Sequence, residues 1–258
     1  MKDIKIIVAT HKKYDMPSDP CYIPLHVGKQ NKEELGYIGD NSGENISEKN
    51  HNYSELTGMY WAWKNLHSDY IGLSHYRRHF GNGNKDTNQF KNILFSTEID
   101  KLLDNVDIIL PQKRNYYIET LYSHYKNTMY VEPLDETGRI ISELHPEYYE
   151  KFKKLHKRKS AHMFNMFIMK KEYFDKYCKW LFSILFELEK RIDCGKYDYF
   201  HGRFFGRISE LLLDVWLEQN SIKYAEVPVI SMEKINWFHK GGMFLIAKFT
   251  GRKYRRSF

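Results

Sequence analysis

Cysteine is scarce in this chain of 258 residues, which contains only Cys21, Cys178 and Cys194. An odd number of cysteines without metal-ligand spacing predicts reduced thiols in a cytoplasmic protein and gives no reason to expect a zinc site. No window holds about 18 apolar residues in a row, so no membrane-spanning helix is predicted. The sequence also shows no internal repeat, no low-complexity tract and no secretory signal after Met1, where a short apolar run begins at once.

The composition is that of an ordinary globular chain. Its hydrophobic content of 42% is ample for the core of one large α/β domain. The formal net charge of +7 favours an anionic partner, which could be a nucleotide, a nucleic acid or an acidic membrane surface. The 20 tyrosines and 5 tryptophans are more than packing alone usually requires, so exposed rings are expected.

The segment Asp69–Phe80 joins a buried strand to an abrupt group of polar residues. Its apolar part, Tyr70–Ser74, is typical of a strand. Four side chains suited to ligand contact follow it: His75, Tyr76, Arg77 and Arg78. Ligands of open α/β sheets bind beyond the carboxyl ends of the strands, and guanidinium groups recognise phosphate oxygens in a planar, bidentate way. The segment therefore predicts an active site, although two solvated surface arginines with carboxylate partners are the alternative.

Two other segments are candidates for nucleotide contact. Ile4–Ala9 predicts a first buried strand, and Thr10, His11 and Lys12 follow it in what is either a ligand-binding loop or a polar turn. Asp40 lies in a long loop rich in proline and glycine, and loops of that length are often functional. Its carboxylate could accept hydrogen bonds from a ribose or a base, but its neighbours are also ordinary turn residues.

Two predicted helices carry charged residues of interest. In the helix over Asn52–Asn65, Glu55 is a candidate acid or base, but Asn52 as N-cap with Glu55 three residues later is a capping-box arrangement, which we favour. The helix over Arg203–Gln219 places four charges opposite its buried stripe: Arg203, Arg207, Glu210 and Asp214. That side faces either a cleft or water, and spacing alone favours an exposed row of ion pairs.

A second predicted strand, Asn105–Leu110, also delivers basic residues, Lys113 and Arg114, to the edge of the sheet. Tyr116 and Tyr117 follow closely, and such rings either stack on sugars and bases or bury against the domain.

Two further strands and a tail are predicted in the carboxyl-terminal part of the chain. A strand is predicted over Met163–Met169, in which the buried amide of Asn165 must be satisfied by neighbouring backbone or by a ligand. Tyr224–Ile230 predicts a last strand, at a sheet edge because it contains Pro228. The remaining tail, residues 231–258, mixes basic and aromatic residues and suits an anionic membrane surface, though a frayed tail would look similar.

Five motifs in this order resemble a bacterial glycosyltransferase family first catalogued as a domain of unknown function. They are ELTGMYWAWKN, GLSHYRRHF, LPQKRNYYIETLYSHY, HMFNMFIMKKEYFDKYCKWLF and GRISELLLDVW. The resemblance extends from about Ile4 to about Ile230 and is far more specific than any short pattern. It implies a single domain over residues 1–230, a GT-A-like α/β fold with a mixed sheet flanked by helices.

The resemblance also implies a substrate class. Members occur among capsule, exopolysaccharide and O-antigen enzymes, and some are associated with galactofuranosyl or other galactosyl transfer from a UDP-sugar. We therefore expect a UDP-sugar donor, a lipid-linked or oligosaccharide acceptor, and a cytoplasmic protein that is peripheral on the inner face of the membrane. Nucleic acid is not expected as a partner.

The resemblance assigns roles to several residues. GT-A enzymes usually hold a metal on the diphosphate with Asp-x-Asp, but here the matching strand ends in Ser74, His75, Tyr76 and Arg77. We expect metal-independent transfer in which arginines neutralise the departing UDP. If Mn²⁺ or Mg²⁺ were used, His75 would be its ligand, although one histidine is a poor site for either ion.

Inverting transfer needs a base that takes the proton of the acceptor hydroxyl. Glu210, in a segment resembling the Arg-x-Ser-Glu motif of the family, is the first candidate, with Glu55 and Asp40 as reserves. Asn165 would order sugar hydroxyls and Arg207 would contact an anion. The sequence leaves open inversion or retention.

Two other functions compete with this hypothesis. Basic residues interleaved with rings also suit a nucleic-acid-binding protein or nuclease, although no recognised nucleic-acid motif is present. The other alternative is a catalytically inactive scaffold in a polysaccharide assembly complex.

Overall fold

The computed structural model describes residues 1–233, which form a nine-stranded mixed sheet flanked by helices. The sheet consists of β1 Ile4–Thr10, β2 Tyr22–His26, β3 Ile38–Gly39, β4 Tyr70–His75, β5 Arg78–Phe80, β6 Ile108–Pro111, β9 Phe167–Lys170, β10 Ala225–Val227 and β11 Val229–Ser231, while β7 Arg114–Asn115 and β8 Ser160–Ala161 form a separate pair. The helices are α1 Asn50–Tyr53, α2 Leu56–Asn65, α3 Ser96–Leu102, α4 Leu121–Thr128, α5 Glu132–Leu144, α6 Pro146–His156, α7 Lys171–Arg191 and α8 Phe204–Gln219.

This architecture confirms the predicted mixed sheet flanked by helices. Of the predicted tail, residues 231–258, only Ser231–Glu233 are described. Within residues 1–233, no helix is long and apolar enough to span a membrane.

The order across the sheet is β10-β6-β9-β4-β1-β2-β3, with β5 paired to β4 and β11 paired to β5. Strand β1 is parallel to β2 and β4, whereas β9 is antiparallel to both of its neighbours, β4 and β6. The carboxyl ends of β1, β4 and β6 therefore meet the amino end of β9 at one edge. We call this the carboxyl edge and define it by the final residues of those three strands: Thr10, His75 and Pro111.

Alternating side chains of the central strands fill two cores. Ile7 and Leu73 face the larger core, which they share with buried residues of α2, α7 and α8. Ile6 faces the opposite core, together with Phe80 and Ile99. Full burial of one such side chain contributes about 1.5–3 kcal/mol. This two-sided packing fixes the strand register, so the polar residues that follow β1 and β4 are presented at the carboxyl edge.

The predicted capping box is wrong. The helix expected from Asn52 is divided into α1 and α2 at Ser54, whose φ of 55° and ψ of −131° are not helical. Glu55 directly precedes α2 and makes no side-chain cap. Because the backbone turns sharply at Ser54, the carboxylate of Glu55 is directed to Asn165 instead.

Two predicted strands are also shorter than expected. The strand expected from Met163 begins only at Phe167, because Phe164 and Asn165 adopt left-handed backbone conformations with φ of 78° and 53°. The last strand is broken at Pro228, which lacks a backbone N–H. As a result β10 pairs with β6 and β11 pairs with β5.

The predicted row of charges along α8 is wrong at Asp214. This side chain is buried, and its carboxylate accepts a hydrogen bond of 2.9 Å from the backbone N–H of His162. The ring Nδ1 of His162 is hydrogen-bonded to the same carboxylate, so Asp214 fastens the chain after β8 to α8.

Candidate active site

The carboxyl edge gathers polar residues from four separate parts of the chain. His11 and Lys12 follow β1, Arg77 and Arg78 follow β4, and Asn165 precedes β9. From the helical side, α8 contributes Arg207 and Glu210. The predicted convergence of basic residues at one edge of the sheet is therefore what the topology produces.

A cluster of rings and cations forms where β1 and β4 end. We call it the β1–β4 cluster: His11, Lys12, Tyr14, Tyr76 and Arg77. Tyr76 is its centre, with the ring centroids of His11 and Tyr14 5.4 and 5.0 Å away in edge-on geometry. Lys12 Nζ and the Arg77 guanidinium carbon lie 5.1 and 5.2 Å from the Tyr76 centroid. The cluster therefore combines an aromatic surface with two positive charges.

Burial is the main cause of the protonation states in this cluster. Burial, followed by the charges of Arg203 and Lys12, lowers the pKa of His11, so its ring is neutral at neutral pH. Burial raises the pKa of Tyr76, whose hydroxyl keeps its proton. A neutral imidazole and a phenol both supply hydrogen-bond donors without adding charge. The net positive charge of the cluster comes from Lys12 and Arg77.

Two residues beside the cluster were not among the site residues predicted from the sequence. Glu233 lies 3.3 Å from Arg77 Nη1 and 4.0 Å from Lys12 Nζ, because the pairing of β11 with β5 carries it there. Arg203 donates a hydrogen bond of 2.7 Å from Nε to Ser54 Oγ, and its charge lowers the pKa of His11. Long-range strand pairing brings Glu233 to this position, which no local sequence signal indicates. Helical spacing places Arg203 opposite a buried stripe, but only the turn before α2 brings Ser54 to it.

A second cluster centres on two carboxylates, Glu55 and Glu210. Asn165 Nδ2 donates hydrogen bonds of 2.6 Å to Glu55 Oε1 and 2.9 Å to the carbonyl oxygen of Gly206 in α8. The guanidinium carbon of Arg78 lies 4.6 Å from the centroid of the Phe164 ring. The predicted catalytic candidates Glu55 and Glu210 thus lie in one electrostatic environment together with Arg78.

Burial, followed by the negative charge of Glu55, raises the pKa of Glu210 to about 7, against the lowering effects of Arg207, Arg114 and Arg78. Burial lowers the pKa of Arg78, as does the charge of Arg77, while Glu210 raises it. A carboxyl group whose pKa lies near neutrality exchanges protons readily at that pH, which is the property required of a general acid or base.

A family model described as a domain of unknown function, DUF4422, matches residues 5–221. The chain belongs to this family. The family assignment from the five sequence motifs is therefore confirmed. Among solved structures, the chain is similar to one titled WbbM bifunctional glycosyltransferase, apo structure, with 32% identity and a TM-score of 0.83. The similarity covers 90% of this chain and 46% of that one, so the chain spans about half the length of WbbM. No curated protein matches it.

In this DUF4422 chain, Asp40 is enclosed by protein. It is 0% exposed, and its Oδ2 accepts hydrogen bonds from the backbone N–H of Gly28 and from Thr57 Oγ1. Its Oδ1 accepts from the backbone N–H of Lys29 and from Ser47 Oγ. With both oxygens engaged twice, Asp40 joins the residues after β2, the turn at Ser47 and the first turn of α2, and we propose no ligand contact for it.

Most of the predicted acceptor residues lie in the segment after β6 and on α8. Tyr116 is buried, and its ring centroid lies 4.2 Å from that of His124. Tyr117 is 75% exposed and has a positive φ of 52°. Lys113 Nζ donates a hydrogen bond of 3.2 Å to the hydroxyl of Tyr224. The guanidinium of Arg207 lies 4.6 Å from the Phe200 ring.

Two predicted ligand contacts are engaged with backbone. The hydroxyl of Thr10 is buried and donates to the carbonyl oxygen of Lys12, which shapes the loop after β1. His75 donates from Nε2 to the carbonyl oxygen of Phe164. Within residues 1–233, no three or more His, Cys, Asp or Glu side chains are grouped so that they could hold a metal ion.

Proposed function

We propose that the chain is a glycosyltransferase that moves a hexose from a UDP-sugar to a growing capsular, exopolysaccharide or O-antigen glycan. The observation that carries this proposal is Glu210, a carboxyl group with a pKa raised to about 7, in the same electrostatic environment as Arg78 at the carboxyl edge. Membership of the family and the likeness to half of a bifunctional glycosyltransferase support it. Galactofuranose or galactose is the proposed sugar, on the family resemblance alone.

The diphosphate of the donor would bind between the ends of β1 and β4. Arg77 and Arg78 can each offer a planar pair of N–H donors to phosphate oxygens, and Lys12 adds a third positive charge. Tyr76 and His11 supply a ring surface and hydrogen-bond donors for the nucleoside. The proposed reaction is metal-independent, since these cations can neutralise the charge that develops on the departing UDP.

Glu210 would act as the base of an inverting transfer. Its carboxylate takes the proton of the acceptor hydroxyl while that oxygen bonds to the anomeric carbon on the face opposite the diphosphate. The bond from the anomeric carbon to the diphosphate oxygen breaks, and UDP leaves with the electron pair. General base catalysis of this kind contributes about 10²–10⁴-fold in rate. Glu55 is the reserve candidate for the same role.

The acceptor would approach along the segment after β6 and the start of α8. Tyr117, which is exposed, can stack on a sugar ring, and Arg114 and Arg207 can pair with acidic groups of a lipid-linked acceptor. Lys113 and Tyr116 complete the proposed acceptor side, whereas Asn165 is 3% exposed and its amide donates to Glu55 and Gly206 instead. Residues 231–258 are basic and aromatic in sequence, which supports a peripheral position on the inner membrane face.

A panel of UDP-sugars, including UDP-galactofuranose and UDP-galactopyranose, tests this function, with transfer and hydrolysis measured in EDTA and in Mn²⁺. The expected result is turnover of one donor that survives EDTA and is lost in Arg78→Ala. Lys91→Ala, a change at an exposed ion pair outside the site, is the matched control and should keep full turnover. Absence of turnover with every donor, together with thermal stabilisation by oligonucleotides but not by UDP, would support nucleic-acid binding instead.

A further inference from the structure

The backbone bends sharply at two neighbouring residues before β9. Phe164 and Asn165 have φ of 78° and 53°, a backbone conformation that residues other than glycine adopt only at a cost in free energy. Two such residues in succession persist only where surrounding contacts impose them. The contacts of these two residues therefore hold the bend in this conformation.

The bend contacts three residues of the candidate site. The carbonyl oxygen of Phe164 accepts a hydrogen bond from His75, and the Phe164 ring lies against Arg78. The side chain of Asn165 donates to Glu55. A regular strand would project neighbouring side chains to opposite faces of the sheet, so it could not make these contacts together.

The donor group of Asn165 sets the orientation of its amide. Its Nδ2 group faces two acceptors, the Glu55 carboxylate and the carbonyl oxygen of Gly206, at 2.6 and 2.9 Å. Reversing the amide would set its oxygen against both acceptors. The side chain is 3% exposed, so water cannot easily replace the lost hydrogen bonds. Asn165 thereby ties the carboxylate of Glu55 to the backbone of α8, the helix that carries Glu210.

We propose that Asn165 is a positioning residue that fixes Glu55 relative to Glu210 and so sets the pH range over which Glu210 accepts a proton. This inference rests on the proposed function for its catalytic meaning. The charged groups that act on Glu210 are Glu55 before α2, Arg78 from β5, Arg114 from β7 and Arg207 from α8 itself. His75 of β4 also faces Glu55, and burial, the first cause, lowers the pKa of that histidine, so it is neutral.

Asn165→Asp tests the inference, because it preserves the shape of the side chain but places a second carboxylate against Glu55 and Gly206. The added negative charge should make Glu210 hold its proton to higher pH. We expect the titration midpoint of the Glu210 carboxyl group to rise by about one pH unit or more from its value near 7. The acidic limb of the pH profile of kcat/KM should move upward by the same amount, with activity recovering at alkaline pH.

The midpoint can be read without turnover, by NMR titration of ¹³C-labelled glutamate carboxyls in the ligand-free protein, with Glu210 assigned from Glu210→Gln. Asn127→Asp is the matched control, since Asn127 Nδ2 donates a similar hydrogen bond of 2.7 Å to Glu119. This control should leave the Glu210 midpoint unchanged. An unchanged midpoint in folded Asn165→Asp overturns the inference, because a carboxyl group that sits between Glu55 and α8 would then have no effect on Glu210.

Glu55→Gln provides a second measurement if Asn165→Asp does not fold. The glutamine oxygen can still accept the hydrogen bond from Asn165, but the negative charge near Glu210 is removed. The Glu210 midpoint should then fall toward the ordinary range of a glutamate, and a midpoint that stays near 7 overturns the inference. Failure of the proposed function is a separate result: the wild type would transfer no sugar while its Glu210 still responded to both variants.

Discussion

Asp40→Asn should destabilise the protein and leave nucleotide binding intact. Each oxygen of Asp40 accepts one backbone N–H and one hydroxyl, from Gly28 and Thr57 at Oδ2 and from Lys29 and Ser47 at Oδ1. Whichever oxygen the amide NH₂ replaces, one backbone N–H loses its acceptor. The hydroxyl beside it can rotate to accept from the new NH₂ group, so the main loss is one buried hydrogen bond to a charged group.

The magnitude follows from that single loss. A buried donor left without its charged partner costs about 3 kcal/mol at the upper end of the usual range. For a chain of this size, that corresponds to a decrease in Tm of roughly 6–12 °C. Urea unfolding monitored by tryptophan fluorescence gives the free energy of unfolding, and titration with UDP gives the affinity. Asp104→Asn, at a carboxylate that is 68% exposed, is the control and should leave the unfolding midpoint unchanged.

The opposite pattern refutes this reasoning. If Asp40 contacts the ribose or base, as its loop in the sequence allowed, Asp40→Asn should weaken UDP binding by about tenfold or more, with a small change in stability. Normal stability with weakened binding would show that the carboxylate opens toward the ligand and that its hydrogen bonds to the loops are dispensable.

Three further predictions concern charge. Glu210→Gln should lower kcat by about 10²–10⁴-fold, and it should melt above the wild type at pH values over 7 but not near pH 4. The reason is that the carboxyl group, whose pKa burial raises to about 7, favours the fold when protonated, and this contribution is lost as pH rises through 7. His79→Leu should reduce the loss of stability on acidification, measured by urea unfolding at several pH values. Burial lowers the pKa of His79 to about 4, so as pH falls from about 6.5 toward 4 this histidine takes up a proton in the unfolded chain but not in the folded one. Equal acid sensitivity of the variant and the wild type would contradict this. Glu233→Gln should tighten UDP binding, measured by calorimetry, by about two- to fivefold. Glu233 pairs with Arg77 and Lys12 at a solvent-exposed position, so it competes with the diphosphate for both cations. Weaker UDP binding by the variant would argue against this competition.

Much of the fold could be predicted because strand and helix periodicity is local. The apolar runs at Ile4–Ala9, Tyr70–Ser74 and Asn105–Leu110 coincide with β1, β4 and β6 within a few residues. Once these strands are parallel, the polar residues that follow them must meet at one edge, so the grouping of His11, Arg77 and Arg78 was predictable.

The details of the site depended on contacts that the sequence does not display. The capping-box spacing of Asn52 and Glu55 predicts a helix cap, but the turn at Ser54 redirects the carboxylate of Glu55. The bend at Phe164 and Asn165 interrupts a run of apolar residues that favours a strand throughout. Backbone conformations with positive φ at residues other than glycine are imposed by tertiary contacts, so periodicity cannot reveal them.

The pairing of β5 with β11 has a consequence for when the proposed anion site forms during synthesis of the chain. The backbone N–H of Met232 donates to the carbonyl oxygen of Arg77, 155 positions earlier in the chain, and Ser231 pairs with Arg78. While a nascent chain leaves the ribosome, β1 and β4 can associate long before residues 229–233 exist to brace the arginine pair. If UDP binds at Arg77 and Arg78 as proposed, its affinity should therefore develop only after β11 has paired with β5, later than the association of β1 with β4.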